Sequence, residues 1–205
     1  MSYLNKYRWE LIPESLPKVK RICSKCNGKS HYINSGKFRV NANKNNIDVW
    51  MIYKCDKCKS TWNMTIHERV KPHEIKRSEY EKFLVNDENL IKEYAFNLRL
   101  YSKNKVEVIL EDLKYKLVSQ KIGINYKMES EIIIEIECKY PMDLRVDRLL
   151  SDKLGLSRSK IKSKEKLGQL YIKGNENPSA TKIKNGMEIR ILMEGEVMKA
   201  LHHIV

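Results

Sequence analysis

Residues 23–66 read CSKCNGKSHYINSGKFRVNANKNNIDVWMIYKCDKCKSTWNMTI, and two C-x-x-C pairs, Cys23/Cys26 and Cys55/Cys58, bracket a spacer of twenty-eight residues. Zinc takes four soft ligands at tetrahedral corners about 2.3 Å away, and each C-x-x-C turn offers two sulfurs while its backbone N–H groups stabilise the thiolates. The spacer explains how the two turns meet. Lys37-Phe38-Arg39-Val40 alternates, residues 43–46 are turn-forming, and Ile47-Asp48-Val49-Trp50-Met51-Ile52-Tyr53 is β-branched and aromatic. A hairpin there returns Cys55 to Cys23, and residues 61–66 add a third strand. The outline is a zinc ribbon. Four cysteines close the metal shell, so the expected centre is structural and argues against zinc hydrolase chemistry.

Other uses of the cysteines fit less well. A disulfide framework needs an oxidising compartment, and the opening MSYLNKYRWELIPESLPK has neither an apolar h-region nor a small-residue cleavage site. A redox pair opens a helix in a βαβ unit, whereas both pairs here lie between strand-like segments. Cys138 closes the run Glu131-Ile132-Ile133-Ile134-Glu135-Ile136-Glu137-Cys138, in which positions 132, 134, 136 and 138 share one face, so it reads as a small buried side chain. His67 and His73 read as structural or surface residues. Lys25, Lys54, Lys57 and Lys59 surround the knuckles, where they either offset the dianionic centre or contact RNA.

With 205 residues, 41% of them hydrophobic, the chain can bury one ordinary core or two small ones, which excludes a large multidomain enzyme. The longest apolar run is five residues, Val49 to Tyr53, far short of the roughly 20 that a membrane-spanning helix needs. The expected address is cytoplasmic. Charge is the outlier: 40 Lys+Arg against 26 Asp+Glu give +14, the balance of a chain that meets a polyanion. Residues 1–77 carry +11, residues 78–138 carry −3 and residues 139–205 carry +6, two basic ends about an acidic middle.

The stretch SGKFRVNANKNNIDVWMIYKCDKCKSTWN (residues 35–63), with CSKC before it and NDENLIKEYAF after it, resembles an uncharacterised bacterial family, domain of unknown function number ten sixty-two. That resemblance extends over nearly the whole chain and implies architecture without an activity. A second resemblance lies in the C-terminal third. Leu144-Arg145-Val146-Asp147-Arg148-Leu149-Leu150, Leu154-Gly155-Leu156-Ser157-Arg158-Ser159-Lys160, Gly168-Gln169-Leu170-Tyr171-Ile172-Lys173-Gly174 and Ile183-Lys184-Asn185-Gly186-Met187-Glu188-Ile189 are similar, in that order, to the RNA-binding module named after small-subunit ribosomal protein four, the S-four-type (alpha-L) domain. The resemblance implies two short helices on a small sheet, with the second helix and following hairpin facing RNA.

Residue patterning agrees with that order. Val146, Leu149, Leu150 and Leu154 recur at helical spacing, Gly155 is placed to stop a first helix, and Ser157 to cap a second. Residues 153–173 hold seven basic side chains and one acidic, a density suited to phosphate contact. The candidate RNA-binding residues are Arg145 and Arg148 on the first helix, Arg158, Lys160, Lys162 and Lys166 on the second, and Lys173 at the hairpin. Lys164 and Glu165 stand where the S-four-type pattern has large aliphatics, Lys173 stands where it favours asparagine, and Met187 where it favours aspartate. The second helix is therefore expected to be short, shifted or loosely packed.

Between these ends, Ser78-Glu79-Tyr80-Glu81 fits a capping box, and Leu90, Ile91, Tyr94 and Leu98 make a helical stripe, so residues 78–100 read as two helices that break near Asn86-Asp87. Val106, Val108 and Leu110 alternate as a strand. Tyr94 and Phe96 read as core or interface, and the carboxylates at 131, 135 and 137 as an outward sheet face. No phosphate-cradling glycine loop or G-x-S-x-G elbow occurs. The expected fold class is α+β: a β-rich zinc ribbon over residues 1–70, an α/β connector over 71–140, and an S-four-type domain over 141–205. The expected function is non-enzymatic binding of structured ribosomal or transfer RNA, with ribosomal proteins as further partners. An RNA-modification enzyme or its subunit, and a zinc-ribbon adaptor on ribosome or polymerase, are the alternatives.

Overall fold

The structure, a computed structural model, describes residues 5–43, 45–123 and 131–192. It is a mixed α+β fold with two five-stranded sheets and few helices. The chain divides into two compact units, one formed by Ser15–Leu110 and the other by Met1–Glu14 with Glu111–Val205. These boundaries differ from the division expected at residues 70 and 140. The first strand, β1 (Asn5–Pro13), belongs to the second unit.

The cysteine unit contains β2 (Lys18–Cys23), β3 (Gly28–Asn43), β4 (Asn46–Cys55), β5 (Thr61–Val70) and β6 (Glu107–Ile109), arranged β5-β4-β3-β2-β6 with antiparallel neighbours. The alternation in the spacer produces β4: Ile47, Val49, Met51, Tyr53 and Cys55 are buried while the residues between them stay partly or fully exposed. Asn43 pairs with Asn46 across the expected turn, of which residue 44 lies outside the described residues. A bulge shifts the β3/β4 register between Asn34 and Phe38. There Gly36 takes φ 66°, a left-handed conformation that costs glycine nothing, and its N–H donates to the Asn34 side chain at 2.8 Å.

α1 (Arg77–Val85), α2 (Glu88–Ala95) and α3 (Leu98–Lys103) supply the other half of this unit's core. Phe83, Leu90, Ile91, Ala95, Leu100 and Tyr101 pack into one cluster with Val19, Tyr32, Phe38, Met51, Tyr53 and Met64. The expected break at Asn86-Asp87 is present, with Asn86 left-handed and the Asp87 carboxylate accepting from Leu90 N–H at 2.9 Å, but a second break at Phe96-Asn97, where the Asn97 side chain accepts from Arg99 N–H at 3.2 Å, makes three helices where two were expected. Ser78 is not the cap of α1, because the helix starts at Arg77 with Lys76 in the cap position and no side-chain cap bond. The helices of residues 77–103 are thus the second layer of the cysteine unit, with their apolar faces buried on its sheet, and β6 joins the sheet itself.

The terminal unit contains β1, β7 (Tyr115–Gly123), β8 (Glu131–Glu137), α4 (Val146–Leu154), α5 (Arg158–Lys166), β9 (Leu170–Ile172) and β10 (Glu188–Leu192). Its sheet runs β7-β1-β8-β10-β9, with β1 parallel to β8 and the other pairs antiparallel. Tyr7, Trp9 and Leu11 of β1 enter one core with Ile132, Ile134, Ile136 and Cys138, onto which Leu149, Leu150, Leu154 and Ile161 pack. Gly155 ends α4 at φ 65°, and the Ser157 hydroxyl accepts from Lys160 N–H at 3.2 Å to start α5. Cys138 is buried, as its place on the strand face requires.

Candidate functional site

Four strand ends assemble the cysteines. Cys23 closes β2 and Cys55 closes β4, while Cys26 and Cys58 follow within tight turns. The two turns share a backbone device. The residue after each second cysteine is left-handed, Asn27 at φ 48° and Lys59 at φ 62°. Asparagine tolerates that region; lysine does so at a cost of roughly 1 kcal/mol.

The four sulfurs lie within 4.8 Å of one another, with Cys23 Sγ 3.5 Å from Cys58 Sγ and Cys26 Sγ 3.9 Å from Cys55 Sγ. Those separations suit the corners of a tetrahedron about one soft ion, whose sulfur–sulfur edge is roughly 3.8 Å for a 2.3 Å bond. The four cysteines form a site able to hold one metal ion. Among the described residues no other group of His, Cys, Asp or Glu is so assembled, and neither His67 nor His73 joins it.

A residue that sequence reading passed over supports the sulfurs. Ser60 Oγ stands 3.1 Å from Cys58 Sγ and 3.4 Å from Cys23 Sγ. Its hydroxyl, followed by that of Tyr32, holds the Cys23 thiol well below its ordinary value, and it also lowers Cys58. Cys26 is pushed up, first by its hydrogen bond with Cys58 and then by desolvation. The backbone adds its part: Cys55 N–H donates to Ser60 O at 2.9 Å, which fixes the serine beside the turn. Lys25, Lys54, Lys57 and Lys59 are exposed around the knuckles, and Lys59 donates to Asp56 O at 2.7 Å.

In the terminal unit the seven cationic candidates separate into two groups. Arg145 is engaged, its guanidinium donating to both oxygens of Asp147 at 3.1 and 2.9 Å, and that carboxylate is 3% exposed. Arg148 leans toward Glu111 O at 3.4 Å and Asp112 at 3.8 Å. Arg158, Lys160, Lys162, Lys166 and Lys173 are exposed and have no carboxylate partner among the described residues. Arg158, Lys162 and Lys166 recur every fourth residue, so they form a row about 6 Å apart along one side of α5.

Lys164 is different. It is 4% exposed, and its ammonium donates to Leu192 O at 2.7 Å and to Gln169 Oε1 at 3.4 Å. Its alkyl stem fills the place of an aliphatic side chain while the charged end reaches carbonyl groups. Glu165 is half-buried and accepts from the Ser179 hydroxyl. With both departures from the aliphatic pattern satisfied, α5 is a regular nine-residue helix. Lys173 borders a concavity of about 600 Å³ that Lys184 and Arg190 also line. Lys184 is a second omission, signalled only by its place before the Asn185-Gly186 turn. On the outward sheet face Glu135 pairs with Lys6 at 3.1 Å, and Glu137 lies 3.9 Å from Arg8. No helix among the described residues is long and apolar enough to cross a membrane.

Across residues 40–176 the sequence matches the family model described as "Protein of unknown function (DUF1062)". The matched region contains the second knuckle, all of α4 and α5, and β9. No curated protein and no solved structure matches.

Proposed function

The chain belongs to that family, and from there we propose that it is a non-enzymatic protein that binds structured RNA, ribosomal or transfer RNA, and carries a structural zinc ion on Cys23, Cys26, Cys55 and Cys58. The observation that carries the reading is the row of Arg158, Lys162 and Lys166 on α5, exposed and without a carboxylate partner among the described residues. Exposed ammonium and guanidinium groups cost only their own ordering and partial desolvation to recruit to phosphate, whereas Arg145 would also have to leave a buried carboxylate. Support also comes from the order helix, helix, strand, strand of α4, α5, β9 and β10, which agrees with the S-four-type resemblance. A small basic module of this kind recognises the shape of a helix junction or loop, because the edges of an A-form major groove are out of reach.

The zinc assignment rests on donor chemistry. Four soft sulfurs at tetrahedral spacing, two of them hydrogen-bonded to Ser60, fit a closed centre that would fix the β2/β3 and β4/β5 turns together. Crosslinking the native protein in cells and sequencing what is bound tests the functional reading. Recovery of ribosomal or transfer RNA, lost on Arg158→Glu with Lys162→Glu, is the expected result. Recovery of proteins without RNA would instead favour the adaptor, and an RNA modification that disappears on deletion and is restored in vitro by this chain alone would favour the enzyme.

A further inference from the structure

The cysteine unit carries the larger charge excess. Residues 15–110 hold 20 basic and 10 acidic side chains, net +10, against +4 for the terminal unit. Part of that excess converges on one concavity. β6 hydrogen-bonds to β2 only from Lys18 to Lys20, so beyond Lys20 the edge of β2 at Arg21 and Ile22 is left open. A hollow of about 370 Å³ lies there, lined by Lys20, Arg21, Lys29 and Lys105, with Trp62 as its aromatic wall. Glu107 is the one acidic residue of the lining, and Ile22 on the rim is 69% exposed. The ammonium groups of Lys20, Lys29 and Lys105 have no carboxylate partner among the described residues.

Arg21 organises the hollow. Its guanidinium carbon sits 4.5 Å from the centre of the Trp62 ring and 5.3 Å from that of Tyr32, so two aromatic rings hold the cation in place. Trp62 is itself fixed, packing at 5.5 Å on buried Tyr53 and edge-on to Tyr32 at 6.3 Å. A guanidinium anchored on a ring presents its edge donors to a phosphate and a flat face to a planar base. Lys20 and Lys29 lie on the other face of the β2/β3 pair and border the hollow at its open edge, where with Lys105 they add charge without direction.

We propose that this hollow is a second RNA site that takes one unpaired nucleotide of a single strand, its phosphate on Lys20, Lys29 and Lys105 and its base stacked at the Arg21–Trp62 pair. The volume matches a small-ligand site and suits a nucleotide better than a folded partner. A duplex would keep its base faces hidden, whereas single strands offer a face at every residue. The choice of ligand rests on the reading of the chain as an RNA binder; the site itself lies in the other unit and is tested separately.

The test uses the full zinc-loaded chain, a five-nucleotide single-stranded RNA, and inorganic polyphosphate as a probe with charge but no bases. Binding is followed by anisotropy and by the Trp62 indole NMR resonance, assigned with Trp62→Phe. The oligonucleotide should move that resonance, and Lys29→Glu with Lys105→Glu, both at exposed positions, should weaken it about ten-fold or more. Arg21→Lys, which keeps the charge and loses the plane, should weaken the oligonucleotide about ten-fold and polyphosphate by much less. An unmoved indole resonance at saturation, equal loss for both probes with Arg21→Lys, or displacement of the oligonucleotide by a tighter-binding acidic peptide would each overturn the proposal. Arg158→Glu with Lys162→Glu separates the two readings: it should abolish binding of a structured RNA and leave the Trp62 response intact. If structured RNA binds that variant normally, the α5 reading fails while the hollow is still judged on its own resonance.

Discussion

Lys162 and Lys164 are two residues apart on one helix, and replacing each by methionine should give opposite results. Methionine keeps the length and apolar character of the stem and removes only the charge. Five cations of the proposed surface have no carboxylate partner among the described residues, namely Arg158, Lys160, Lys162, Lys166 and Lys173. At 0.7 to 0.9 released counterions per phosphate contact, the slope of log affinity against log salt should be about −3.5 to −4.5. One lost contact is then worth about 1 kcal/mol at 0.15 M salt, or roughly five-fold in affinity. Lys162→Met should show that loss and flatten the slope by nearly one unit. Lys164→Met should change neither, because that ammonium is spent on Leu192 O and Gln169 inside the unit. Its effect belongs to stability, where the lost charge-assisted bond, worth about 1.5–3 kcal/mol, is set against relief from burying a charge. Fluorescence anisotropy with a labelled RNA hairpin at several salt concentrations, beside urea unfolding of each variant, reads both quantities. Equal losses of affinity at the two positions would mean diffuse charge and refute the surface; no loss at Lys162 would remove it.

Elemental analysis of purified protein should find about one zinc per chain, and Cys55→Ser should unfold the cysteine unit as read by NMR, since metal binding and folding are coupled there. Ser60→Ala should leave the fold in place and weaken zinc about ten-fold or more in a chelator competition, because the hydroxyl supports Cys23 and Cys58. Asp147→Asn should cost about 2 kcal/mol in urea unfolding by weakening the charged bonds to Arg145 and to Arg148 N–H. Burial holds the His67 imidazole below its ordinary 6.5, with Glu79 and Glu74 opposing and Lys103 reinforcing the effect. The unfolded chain therefore takes up the proton first, so the stability tied to neutral His67 is complete above pH 6.5 and is lost as pH falls below it. His67→Phe should remove that part of the pH dependence of unfolding.

The cysteine site was legible because its information is local: two C-x-x-C turns and an alternating spacer suffice to bring four sulfurs together. Gly155, Ser157 and the Asn86-Asp87 break were legible for the same reason. What sequence reading missed depends on partners distant along the chain. The charge at Lys164 looks like its neighbours until Leu192 O, twenty-eight residues later, is seen to receive it. Tyr7, Trp9 and Leu11 alternate as a strand should, yet nothing local says that their neighbour is β8 and not the cysteine hairpin. The helices at 77–103 were read as a connector because a helical stripe announces a buried face without naming the sheet that covers it. Arg145 shows the reverse error: a partner only two residues away, Asp147, was overlooked because counting charges does not reveal which carboxylate is buried.

The placing of β1 sets an order in time. Its two neighbours, β7 and β8, are encoded beyond residue 114, with the whole of the cysteine unit between. At 5 to 20 residues per second a ribosome needs roughly 6–24 s to go from the end of β1 to the start of β8. During that interval Ser15–Leu110 emerges complete, and its four cysteines can close while the strand carrying Tyr7, Trp9 and Leu11 still waits for its partners. The nascent chain therefore finishes its middle before its beginning, holding an apolar N-terminal segment open until the isoleucines of β8 arrive.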